Sequence, residues 1–169
     1  MVSKEEILKL LEQVRDPEIP LLSVIDMGII RDVLIENCPD HSDASDTTRV
    51  VVKITPTYSG CPAMHLIEEE VLATLHANGF PSAKVEVVLS PAWTTEWLSA
   101  AAREKLKASA IAPPAAIENG LVQFPPKKIA CPFCNSKKTE LRSEFGCTAC
   151  KSLCFCKECN QPFEYFKSL

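Results

Sequence analysis

The chain has 169 residues, 46% hydrophobic and 24% charged, with a net charge of −4. That is enough apolar material for a packed core, so wholesale disorder is excluded, and the acidic balance argues against nucleic-acid binding through a basic footprint. No apolar run approaches the roughly 20 residues that span a bilayer, and the opening Met1-Val2-Ser3-Lys4-Glu5-Glu6 does not read as a signal peptide, so a cytoplasmic protein without a membrane or nucleic-acid partner is expected.

Ser3-x-x-Glu6 is a capping box, and Ile7, Leu8, Leu11 and Val14 follow at helical spacing. Pro17 is expected to end that helix, which makes Asp16-Pro17-Glu18-Ile19-Pro20 a stiff acidic loop. Residues 29–36 and 49–55 read as strands, and the polar stretch 37–48 between them as a hairpin loop. Ser59-Gly60-Cys61-Pro62 opens a second helix, with Met64, Ile67, Val71, Leu72 and Leu75 as its apolar stripe and Gly79 as its stop. Residues 83–89 form a third strand, and 94–107 a further helix that Trp93 and Trp97 dock to the sheet. The fold class expected is α/β: a small α-β-β-α-β two-layer sandwich followed by a C-terminal zinc ribbon, itself a small β unit. The sandwich is placed at 1–107, an Ala/Pro-rich linker at 108–126 and the ribbon at 127–169.

The ribbon reading comes from cysteine arithmetic. Seven of the nine cysteines lie between Cys131 and Cys159. In a reducing compartment, clustering of this kind points to metal. Cys131-Pro-Phe-Cys134 and Cys156-Lys-Glu-Cys159 are two C-x-x-C knuckles separated by 21 residues, near the usual ribbon gap of about 15–20. Each is followed by Asn, which tolerates the positive φ that the turn favours. A rival pair, Cys147-Thr-Ala-Cys150, is followed by Lys151. The metal is assigned to Cys131, Cys134, Cys156 and Cys159, leaving Cys147, Cys150 and Cys154 as free thiols or core residues. Strands are expected at 139–145 and 161–166. Four thiolates leave no open coordination position, so the ion is expected to be structural Zn2+, with iron or an iron–sulfur cluster as the alternative for a thiolate-only site.

Cys61 stands apart from that cluster. Placed at a helix start, its thiolate would be stabilised by free N–H groups, and Asp16, Glu18 and Asp26 are candidates to lie near it and help to coordinate metal. The alternative is a buried structural cysteine, with the carboxylates serving turns. His65, His76, Trp93 and Trp97 have no metal-spaced partners and are read as surface or packing residues. The sequence also lacks a phosphate-binding glycine loop, a nucleotide fingerprint, a Glu-x-x-His pair and a Ser/His/Asp set.

Asp16-Pro17-Glu18, Val24-Ile25-Asp26-Met27-Gly28-Ile29-Ile30 and Thr55-x-Thr57-x-x-x-Cys61-Pro62 together resemble the small domain of iron–sulfur assembly factors of the SufT and cytosolic CIA-targeting type, over roughly residues 3 to 100. With Cys131-Pro-x-Cys134, Ser143-Glu-Phe-Gly146, Ala149-Cys150-Lys151 and Cys159-x-x-Pro162-Phe163-x-x-Phe166-Lys167 added, nearly the whole chain resembles the D-subunit family of the bacterial phenylacetyl-CoA epoxidase system. The family pattern has Ser at 147 and an aromatic residue at 154. Both are Cys here, which keeps an alternative ligand set open. The resemblance implies a non-catalytic accessory role in aerobic phenylacetate degradation, assisting maturation of an iron–sulfur or di-iron centre in the reductase or oxygenase component. It implies those epoxidase components as partners, a transient iron or iron–sulfur cargo, and Cys61 as the functional thiol with Asp16, Glu18, Asp26, Thr55 and Thr57 around it. The alternatives are an iron-binding electron-transfer component and a zinc-ribbon assembly scaffold.

Overall fold

The structure is a computed structural model that describes residues 2–37, 48–115 and 129–168. It divides into two compact units, Met1–Trp93 and Thr94–Leu169.

In the first unit, helix α1 (Lys4–Leu11) starts at the expected capping box. The Ser3 hydroxyl accepts from Glu6 N–H at 3.2 Å, and the Glu6 carboxylate accepts from Ser3 N–H at 2.8 Å. The helix stops at Leu11, well before Pro17. The chain folds back instead: Val14 O accepts from Val24 N–H, and Asp16 N–H donates to Leu22 O, both at 3.0 Å. Backbone groups committed to that return cannot also continue the helix.

Strands β1 (Ile30–Asn37) and β2 (Thr48–Ile54) pair antiparallel. Residues 38–47 of the expected hairpin loop lie outside the described residues. Helix α2 (Ala63–Ala77) then crosses to β3 (Lys84–Val87), which pairs parallel with β2, giving the sheet order β1-β2-β3. A parallel neighbour needs such a crossover, since a tight turn cannot reverse the chain twice. Met64, Ile67, Val71 and Leu75 are buried as the helical spacing predicts, while Leu72 is only half-buried. In β2, Val50, Val51, Val52 and Ile54 are all buried as well. α1 packs against α2 and β1, and α2 against β3. Beyond the sheet, the Trp93 indole N–H donates to Met27 O at 2.9 Å.

The second unit departs further from expectation. Residues 94–107 are not one helix. A 3-10 turn at Thr95–Trp97, capped by Thr94, is separated by extended Leu98 from helix α3 (Ala100–Ala108), whose Ser99 cap accepts from Ala102 N–H at 2.9 Å. Trp93 and Trp97 therefore share no helix. Strand β4 (Ile111–Ala112) falls inside the expected linker, where it pairs parallel with β7 (Pro162–Phe166). With β5 (Thr139–Ser143) and β6 (Lys151–Cys156) the sheet runs β4-β7-β6-β5. The compact units divide between Trp93 and Thr94, whereas the sequence places the first boundary at Lys107. The difference arises because α3 and β4 pack with each other and β4 completes the ribbon sheet. The buried cluster of this unit joins Ala112, Ile129, Cys154, Phe163 and Tyr165 to Cys131 and Cys156.

Candidate functional site

The ends of β5, β6 and β7 position two near-identical loops. Cys131 N–H donates to Ser136 O at 2.9 Å, and Cys156 N–H to Gln161 O at 3.0 Å. Each closure joins residues five apart and holds a C-x-x-C pair within it. The turn is completed by a left-handed residue: Asn135 at φ 58° and Asn160 at φ 56°. These are the two asparagines that the sequence singles out for that tolerance.

The four sulfurs converge. Cys131 Sγ lies 3.7 Å from Cys159 Sγ, and Cys134 Sγ 3.5 Å from Cys156 Sγ, with all four within 4.8 Å of one another. A tetrahedron with Zn–S bonds of about 2.3 Å has edges of about 3.8 Å. A disulfide would need about 2.05 Å. The spacing therefore fits four thiolates round one ion. The backbone N–H groups of Cys159 and Glu158 hold the Cys156 thiol down to about 7. Burial and the neighbouring sulfurs of Cys134, Cys156 and Cys131 push Cys159 up to about 12. Four anions cannot crowd together unaided, so a cation is what allows this set to ionise fully.

The remaining ribbon cysteines stand outside. Cys154 is fully buried in the core cluster, and burial raises its thiol to about 11. Cys150 is buried with its sulfur 3.1 Å from the Thr148 hydroxyl, and Cys147 is exposed. Among the described residues, the four knuckle cysteines are the only His, Cys, Asp or Glu group of three or more whose ligand atoms converge.

Cys61 lies in the first unit, half-buried, two residues before α2 begins. Its N–H donates to Tyr58 O at 3.3 Å, and Pro62 leaves the helix start without a side-chain cap. No group of three ligands gathers there among the described residues. The expected neighbours have backbone duties. Asp16 Oδ1 accepts from Glu18 N–H and Ile19 N–H, each at 2.8 Å. Asp26 Oδ2 accepts from Ser23 N–H at 3.1 Å, while the Ser23 hydroxyl accepts from Asp26 N–H at 3.0 Å. Thr55, buried, donates its hydroxyl to Val88 O at 2.7 Å and its N–H to Ile29 O at 2.9 Å. It thereby fixes the ends of all three strands beside the loop that carries buried Thr57 and then Cys61.

Comparison with known proteins follows the same division. The family described as iron-sulfur cluster assembly protein matches residues 4–89, and the one described as PaaD zinc beta ribbon domain matches residues 119–167. An Escherichia coli (strain K12) protein, provisionally named as the D component of 1,2-phenylacetyl-CoA epoxidase, is 42% identical over 97% of this chain and 92% of its own length. The chain belongs to the D-subunit family of phenylacetyl-CoA epoxidase. A Porphyromonas gingivalis protein named as an Fe-S protein maturation auxiliary factor is 31% identical over 57% of this chain and 84% of its own. A solved Bacillus anthracis domain of unknown function matches with a TM-score of 0.50 at 28% identity, covering 61% of this chain and 90% of that one. No helix among the described residues is long and apolar enough to cross a membrane.

Proposed function

We propose that this protein is a non-catalytic accessory component of the phenylacetyl-CoA epoxidase system. In this reading it assists assembly of an iron–sulfur or di-iron centre in the reductase or oxygenase component. The observation that carries it is the joining, in one chain, of an iron–sulfur assembly domain to a closed four-thiolate ribbon. A closed set has no position for a substrate or a transient metal, so the ion there is structural, with zinc the fitting occupant. Passing chemistry then falls to the first unit. There Cys61 is a half-buried thiol beside an uncapped helix start, next to a strand end locked by Thr55. The ribbon serves as the arm that engages the client protein.

The test is to produce the epoxidase components in cells carrying wild type, Cys61→Ala or a deletion of the gene. Iron content and epoxidation are then measured on the purified client. Cys61→Ala is expected to fold and retain its structural metal while leaving the client iron-poor, as the deletion does. Fully iron-loaded client from Cys61→Ala cells would sink the maturation mechanism. If the deletion still impaired assembly of the complex in that case, a scaffold role would stand instead.

A further inference from the structure

The loop from Gly146 to Lys151 is closed twice: Gly146 N–H donates to Lys151 O at 2.8 Å, and Lys151 N–H to Thr148 O at 3.2 Å. Cys147 and Cys150 are the two residues just inside the outer closure, one on each limb of the loop. A loop closed this tightly brings its two limbs together, and a disulfide between them needs Cα atoms about 4.4–6.8 Å apart. Neither is in a disulfide in this structure, and neither sulfur joins the converging four-sulfur set.

Their surroundings differ in a useful way. Cys147 is exposed, and Cys150 is buried with its sulfur against the Thr148 hydroxyl. The loop is anchored from outside. Cys147 N–H donates to Glu164 Oε1 at 3.4 Å, the same carboxylate is paired with Lys151 Nζ at 2.9 Å, and Lys167 Nζ donates to Ala149 O at 2.8 Å. A Cβ on Gly146 would sit 3.0 Å from Glu164 Oε1, so the loop lies close against that carboxylate. The anchors come from β7, the residue after it and the start of β6, so the loop can change its sulfur chemistry while the knuckles keep theirs.

We propose that Cys147 and Cys150 are a second dithiol, separate from the metal centre, that exchanges with low-molecular-weight disulfides. The Cys147 sulfur, having lost its proton to solvent, attacks one sulfur of the small disulfide. One small thiolate leaves, takes up a proton, and a mixed disulfide remains on Cys147. The Cys150 sulfur, also deprotonated, then attacks the Cys147 sulfur and expels the second small thiol. Two protein thiols are oxidised to one disulfide, and one small disulfide is reduced to two thiols. An exposed attacking thiol and a sheltered resolving thiol three residues on make a workable order for such exchange.

The experiment uses the full, metal-loaded chain, equilibrated in glutathione buffers of rising oxidised fraction, quenched by alkylation and mapped by peptide mass spectrometry. The expected product is a reversible Cys147–Cys150 disulfide, two hydrogens lighter, with the metal content unchanged. Cys147→Ser, an exposed change that leaves the core intact, should abolish it. Cys150→Ser should instead accumulate the mixed disulfide on Cys147. The proposal is overturned if wild type stops at the mixed disulfide as Cys150→Ser does, or if both thiols stay reduced throughout. It is equally overturned if either pairs with a knuckle cysteine as metal is lost.

Discussion

Cys154 and Cys156 lie two residues apart on the inner face of β6, and both are fully buried. They should nonetheless respond to truncation in opposite ways. Cys154 is surrounded by core side chains and its thiol is pushed up to about 11 by burial, so it acts as a small neutral hydrophobe. Cys154→Ala removes little more than one methylene's worth of buried volume, and about 1 kcal/mol of stability is the expected cost. Cys156 belongs to the converging four-sulfur set, with its sulfur 3.5 Å from that of Cys134. Structural zinc in small domains is bound with about 10–16 kcal/mol. A quarter share of that corresponds to roughly 60- to 700-fold in metal affinity. Competition with a chelator, read as metal retained per chain, should leave Cys154→Ala like wild type and strip Cys156→Ala. Amide NMR spectra should then show the ribbon signals of 129–168 collapsing while those of the first unit persist. If both variants kept or lost metal equally, the ligand assignment, and the separation of core from metal site along β6, would be wrong.

Asn135→Ala and Asn160→Ala each force a Cβ-bearing residue without a polar side chain into the left-handed region, at φ 58° and 56°, and should cost about 1 kcal/mol. Asn→Gly at the same positions should be near neutral, and denaturant midpoints that did not separate Ala from Gly would refute the strain argument. Glu164→Gln leaves the Lys151 ammonium, 7% exposed, without its carboxylate and should cost about 2 kcal/mol, below the full buried-pair range because Glu164 is a quarter exposed. Although burial raises it, the Glu164 carboxyl is held below its ordinary value of 4.5 by Lys151 and Cys147. Its contribution is therefore complete above that ordinary value and disappears as the pH falls through the lower folded one. A carbon-detected titration should place its midpoint below those of exposed glutamates. Ser3→Ala removes half of the capping box on α1 and should lower the stability of the first unit by about 1 kcal/mol in chemical denaturation, with Ser3→Asp restoring it.

Local chemistry is legible in the sequence wherever one residue type does one job. The capping box at Ser3, the valines of β2, the stripe of α2 and the two asparagines after the knuckles all follow from side-chain or backbone preferences that act over a few residues. The metal set is legible for the same reason, since C-x-x-C followed by Asn is a local geometry repeated. Pairing with distant backbone leaves no such trace. α1 stops early because residues 14 and 16 bond to residues 24 and 22, and Ile111–Ala112 is a strand only because β7 offers it an edge. The split of residues 94–107 is signalled by Thr94 and Ser99, both good caps, but the regular apolar spacing masks them. The carboxylates are the most ambiguous: Asp16 and Asp26 look like ligands by type, and the structure commits oxygens of both to local turns. The Lys151–Glu164–Lys167 anchoring of the 146–151 loop has no sequence signal, because its members are linked only through strand register.

The parallel seam between β4 and β7 bears on how the protein can be dissected. A fragment beginning at residue 119, where the ribbon family match begins, would omit Ile111–Ala112 and leave one side of β7 unpaired. It would also lose Ala115, whose N–H donates to the Tyr165 hydroxyl at 3.3 Å and whose carbonyl accepts from Ser168 at 3.2 Å. An open strand edge beside buried aromatic side chains invites self-association. The smallest ribbon fit for separate study should start at Thr94 and carry α3 and β4 with it.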